Sequence, residues 1–160
     1  MATQAEVVYN YLVTRFGDEW DTYKDEFQDS LARTGENGKG VFMDFPIVLS
    51  DFPAVGILLG NEAYARADND YGLNQDLIFR ILLYCYRADT PTAMNEIQRM
   101  RNVALKIIMS DPTLGGSVHQ TEPIGCEYGV LSEAIYMPGE IKVIGCAMNV
   151  TAKIFAEQII

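Results

Sequence analysis

The sequence is poor in the side chains that carry out chemistry. One histidine, His119, occurs in 160 residues. A Ser–His–Asp or Cys–His arrangement would have to be built on it. It falls in a predicted strand after Gly115-Gly116-Ser117-Val118, with no cysteine or motif serine beside it. It therefore reads as a surface or interface side chain. The three cysteines, Cys85, Cys126 and Cys146, each sit inside an apolar segment. Their odd number and wide spacing argue against a disulfide framework or a zinc knuckle. They are expected to be buried free thiols in a reducing compartment. No apolar run approaches the roughly 18 residues that span a bilayer. The opening residues, Met1-Ala2-Thr3-Gln4-Ala5-Glu6, lack the basic and apolar regions of a secretory signal, so synthesis in the cytoplasm is expected. Positive charge is scarce too: 12 Lys and Arg face 22 Asp and Glu, a net charge of −10. Such a surface repels nucleic-acid phosphate and anionic membranes at long range.

Two near-motifs fail on inspection. Gly35, Gly38 and Gly40 resemble a phosphate-binding loop, but Lys39 is followed by glycine rather than Ser or Thr. Asp68-Asn69-Asp70-Tyr71-Gly72 resembles the start of a calcium loop, but the twelfth position, where a glutamate is required, is Phe79. No catalytic residue, metal ligand or cofactor site is expected, and the chain does not read as an enzyme.

What is present is a well-patterned chain, 49% hydrophobic and 11% aromatic, long enough for one domain over residues 1–160. Val7, Val8, Tyr11, Leu12 and Phe16 form one apolar stripe, predicting a helix over residues 2–16. Thr3 and Glu6 supply a capping box, and Gly17 a stop. Trp20, Tyr23 and Phe27 form a further short helical stripe. The glycine-rich run 34–40 predicts a long inserted loop. Val41 to Phe52 is expected to be extended at a sheet edge, broken by Pro46 and Pro53. Strands are predicted over 54–60 and 76–87, with a polar segment, 61–74, between them. The second is almost wholly apolar, so protein should cover both its faces; Arg80 interrupts one of them. Thr90 and Pro91 open a predicted helix over 91–110. Its buried face comprises Met94, Ile97, Met100, Ala104, Ile107 and Ile108, and Asp111-Pro112 ends it. Leu114 is placed to fold back on the helix end, with Gly115 and Gly116 taking positive φ. Two more strands follow, 118–131 with an irregularity at Pro123 and Gly125, and 141–155, joined by a turn at 137–140. The expected fold is α+β. It is a four-stranded, mostly antiparallel sheet with a helix packed on one face, plus an N-terminal helix and the inserted loop.

The phrase Ser110-Asp111-Pro112-Thr113-Leu114-Gly115-Gly116-Ser117-Val118 closes the helix Asn102–Met109. It leads to a strand containing Cys126-Glu127-Tyr128-Gly129-Val130 and then to a last strand from Ile141 to Thr151. This arrangement, over about Asp76 to Phe155, resembles the C-terminal half of tail terminator (tail-completion) proteins of long-tailed bacteriophages. The resemblance implies a structural virion protein in the tail or neck, made in the host cytoplasm. It would form a hexameric homo-oligomer, a ring that caps the tail tube, ends polymerisation and joins the tail to the head. Its partners would be the tail tube protein and a neck or connector protein, with DNA passing through the lumen without specific binding. Other head–tail joining proteins (a stopper or adaptor) and a tail tube subunit belong to the same class. A small enzyme or ligand-binding domain is the alternative from another class. Residues proposed for subunit, neck or tube contacts are Glu36, Asn37 and Lys39 in the loop, Arg80 and Arg87 on the apolar strand, and Arg99 and Arg101 on the helix. Each arginine could equally be paired within its own chain or solvated.

Overall fold

In a computed structural model the described residues are 3–24, 27, 30–31, 41–43, 53–66, 73–87, 93–130 and 143–155. The N-terminal helix α1, Gln4–Tyr23, starts at the expected capping box. The Glu6 amide donates to Thr3 Oγ1 at 3.1 Å and the Thr3 amide to Glu6 Oε2 at 2.8 Å. Gly17 does not stop it. An interior glycine costs a helix only about 1 kcal/mol, and the apolar stripe continues through Val8, Leu12, Val13, Phe16 and Trp20, all buried. Trp20 and Tyr23 of the second stripe thus belong to the same helix, whereas Phe27 lies beyond its end and packs edge-on against Trp20, centroids 6.0 Å apart.

The strands are β1, Val41–Met43; β2, Ala54–Arg66; β3, Leu73–Arg87; β4, Gln120–Val130; and β5, Val143–Ile154. They form one sheet ordered β1-β2-β3-β5-β4. The four long strands are antiparallel, as expected, and β1 adds a short parallel strand at the edge, Val41 opposite Val55. The polar residues 61–66 and 73–75 were expected to connect strands, yet they extend them. Backbone pairing to the facing strand sustains the ladder there although most of these side chains are exposed. In β4 the pairing slips between Pro123 and Gly125, the irregularity anticipated from the sequence. Proline there fits an edge strand.

Both helices lie on one face of the sheet. Leu77, Phe79, Ile81 and Leu83 of β3 and Cys146, Met148, Val150 and Ala152 of β5 alternate onto it, and α1 and α2 close one core over them. Tyr9 stacks on Phe79 at 6.2 Å and its hydroxyl donates to the Ile57 carbonyl at 2.5 Å. Helix α2, Ala93–Met109, buries Ile97, Met100, Ala104, Ile107 and Ile108 as expected, with Val103 added. Met94 does not join them. In the helix's first turn it remains 53% exposed, beyond the surface that the core covers. Of the three cysteines, Cys85 and Cys146 are buried, whereas Cys126 on the edge strand is only half-buried. The loop 34–40, the turn 137–140 and the cap at Thr90-Pro91 lie outside the described residues.

The connector after α2 fastens the two helices together. Asp111 accepts a hydrogen bond from the Tyr11 hydroxyl at 2.5 Å and from the Gly115 amide at 3.1 Å. Arg15 of α1 lies 3.9 Å from the same carboxylate, donates from Nε to the Ile107 carbonyl at 3.2 Å, and bonds Ser110 Oγ. The backbone then turns through three consecutive positive φ values: Leu114 at 47°, Gly115 at 67° and Gly116 at 87°. Sequence reasoning assigned only the two glycines this geometry. Leu114 adopts it as well, and complete burial of its side chain offsets a strain of about 1–2 kcal/mol.

Gly115 is needed for space as well as for φ, because a Cβ there would lie 2.9 Å from the Tyr11 ring, while one at Gly116 would meet nothing within 4 Å. Urea unfolding of Gly116→Ala should show a loss of about 1–2 kcal/mol from backbone strain alone. Gly115→Ala should lose roughly 1–3 kcal/mol more through overpacking. Equal losses would refute the Tyr11 contact. The hydrogen bond from Tyr11 is the main cause holding the Asp111 carboxyl below its ordinary value, aided by the Gly115 amide and Arg15 and opposed by burial. A lowered folded value contributes stability above the unfolded value near about 3.9 and loses it as pH falls through the folded one. Asp111→Asn should therefore cost about 1–2 kcal/mol at neutral pH. That gap should close in unfolding titrations below about pH 4.

Candidate functional site

The helices leave the second face of the sheet without a helix among the described residues. The alternate residues of each strand point there. Register places Leu58, Arg80, Asn149 and Gly125 in one row across β2, β3, β5 and β4. An open cleft of about 540 Å³ lies over this row, lined also by Asn61, Ile78, Ile124, Glu127 and Ala147. Among the described lining residues Arg80 is the one cation, with Glu127 on the far strand and apolar or amide side chains elsewhere. The described lining of the cleft joins two opposite charges, two amides and several aliphatic groups. Among the described lining residues no nucleophile is paired with a base.

The sheet margins carry most of the exposed apolar side chains. Leu59, Tyr64 and Leu73 stand out on the β2–β3 arm, and Ile124 and Tyr128 on β4, at 38–61% exposure. On the arm, Tyr64 donates to the Glu62 carboxylate, which raises the phenol above its ordinary pKa. Beyond Ile57, the outer edge of β2 has no strand partner among the described residues, and neither does the outer edge of β4.

The residues singled out in the sequence do not converge. Arg80 lies at the centre of the open face. Arg87 pairs through its backbone with Val143 at the far end of β3. Arg99 is bound within its own helix, Nη1 2.6 Å from Glu96 Oε1. Arg101 donates to the Tyr128 hydroxyl, and to Asn102 Oδ1 at 3.0 Å, with its guanidinium 5.9 Å from the Tyr128 ring centre. Glu36, Asn37 and Lys39 lie outside the described residues. Sequence reasoning passed over Ile124 and Tyr128. An apolar residue between Pro123 and Gly125 on an edge strand was the available signal for Ile124. His119 is exposed and stacks on Phe155, ring centres 3.9 Å apart. Among the described residues no three His, Cys, Asp or Glu side chains gather as metal ligands, and no helix is long and apolar enough to cross a membrane. By sequence, the chain matches no protein-family model and no curated protein.

The Arg99–Glu96 pair is one helical turn apart and half-exposed on the arginine side. Arg99→Ala should change stability by less than about 0.5 kcal/mol. Any larger loss of assembly in that variant, read by light scattering, would mark Arg99 as a contact between subunits.

Proposed function

We propose that this chain is the subunit of a homo-oligomeric ring, specifically a hexameric tail terminator that caps a bacteriophage tail tube and joins it to the neck. The observation that carries this reading is the pair of unlike margins left open among the described residues. A closed ring needs a heterologous interface, two different patches on each subunit that fit head to tail. Here the outer edge of β2 from Leu58 onward forms one margin and β4 the other, on opposite sides of the same sheet. Strand direction alternates from β2 through β3 and β5 to β4, so β4 runs opposite to β2. Adding β4 of one copy to β2 of the next would continue the antiparallel ladder without reversing either subunit.

Charge supports the same reading. A net charge of −10 favours a wall past which DNA slides over one that grips it. The resemblance of the Asp111–Gly116 connector and the strands after it to tail terminators supplies the particular ring. That connector is explained by its work within the subunit, and so it supports the fold more than the contacts. A tail tube subunit would use the same margins and is distinguished by stacking into long polymers.

Size-exclusion chromatography with light scattering should give one species of about six subunits, the closed cyclic order implied by the reading. Negative-stain images should show single rings; tubes would favour the tube subunit, and a monomer at high concentration would overturn the ring. Ile124→Asp places a charge at a 61% exposed position. It should leave the unfolding midpoint within about 0.5 kcal/mol of the parent while dissociating the ring.

A further inference from the structure

The two margins of the sheet carry opposite charges on the same face. Register sets Glu62 opposite Leu77, a residue of the helix-covered core. Glu62 and, two residues on, Tyr64 therefore point to the helix side of β2. At the other margin Tyr128 pairs with Cys146, also a core residue, and points to the same side. Both tyrosines are exposed, and each is tied to a charged group. The Tyr64 hydroxyl donates to the Glu62 carboxylate. Arg101 reaches across from α2 and donates to the Tyr128 hydroxyl, its guanidinium 5.9 Å from the ring centre. Among the described residues no cation pairs with Glu62 and no carboxylate pairs with Arg101. Arg101 uses one donor on Tyr128 and one on Asn102 Oδ1, while Nε is buried with no hydrogen-bond partner. A guanidinium has five donors, so most of its capacity is unspent.

We propose that Glu62 of one copy pairs with Arg101 of the next, an ion pair framed by Tyr64 and Tyr128 that fixes which margins of the subunit meet. This rests on the ring reading, in which β4 of one copy extends β2 of its neighbour. Continuing the sheet keeps both side chains on the helix side of the joint. Directly opposite and diagonal positions across such a joint lie about 4.5–8 Å apart. An arginine already extended over Tyr128 spans that distance to a carboxylate on the facing strand. The other face of the joint sets up no repulsion. There β4 presents Glu122 and Glu127, and β2 presents Ala63 and Ala65. Glu122 is moreover held by Lys153 at 3.3 Å. Arg66 stands four residues beyond Glu62, about 13 Å along the strand. That exceeds the screening length of about 8–10 Å in physiological salt, so it does not oppose Arg101. Joining like margins brings carboxylate to carboxylate or guanidinium to guanidinium, and such juxtaposition rejects the wrong pairing. The pair thus selects the head-to-tail contact that a closed ring requires.

The test is charge exchange, read by light scattering on the full chain. Glu62→Arg alone and Arg101→Glu alone should each weaken assembly by at least about ten-fold. Mixed in equal amounts, the two variants should assemble again, because each then offers the charge the other lacks. The double variant Glu62→Arg/Arg101→Glu should assemble within about ten-fold of the parent. Circular dichroism checks that each variant is folded. If a reversal prevents folding, Glu62→Gln and Arg101→Gln replace it, and each should weaken assembly and flatten its dependence on salt. A parent that assembles together with folded single variants that assemble equally well would overturn the ion pair and leave the ring standing. Folded single variants that stay apart on mixing would overturn it too. A monomeric parent would overturn both.

Discussion

The Asp111 carboxylate is the constraint on which the arrangement of this protein rests. It accepts from Tyr11 of the first helix and from the Gly115 amide of its own connector. Hydrogen bonds to a charged acceptor are stronger than neutral ones, and more so when partly shielded from water. The contact sets where α1 lies relative to α2 and holds a turn of three positive φ values that would otherwise spring open. Once that turn is held, Leu114 is driven into the core and β4 is delivered to its place beside β5.

Fastening both helices to one face has a consequence for the other. The helices close one core over one side of the sheet; the opposite side carries charged, amide and aliphatic residues around Arg80 and, further along β3, the fully buried Leu82 and Tyr84. Open edges of this length ordinarily invite pairing with another chain. Natural proteins blunt such edges by charge, proline or a slipped register, and β4 has both Pro123 and a slip beside it. The slip leaves Ile124 exposed at the margin rather than covered.

The thiols illustrate how position within this layout sorts identical groups. Cys85 and Cys146 lie on central strands under the helices, while Cys126 lies on the edge strand, where water enters. Burial disfavours a thiolate, and a donor and a cation favour it.

The sequence by itself determined the α+β class, both helices, the succession of the four long strands along the chain, and the slip at Pro123 and Gly125. Each follows from local periodicity or backbone stereochemistry, which neighbours along the chain suffice to express. It also anticipated the turn at Leu114-Gly115-Gly116, although not that Leu114 would share its geometry. It misjudged Gly17, where a continuing apolar stripe outweighed one glycine, and the polar residues 61–66, where pairing to a facing strand outweighed composition. Only the tertiary structure decided that Tyr11 meets Asp111, that Arg80 lines the open face, that Arg99 and Arg101 are engaged within the chain, and that three scattered cysteines lie on one face of the sheet. Those facts depend on which strands become neighbours and in what register, and register is a property of the whole sheet that no single stretch of sequence encodes.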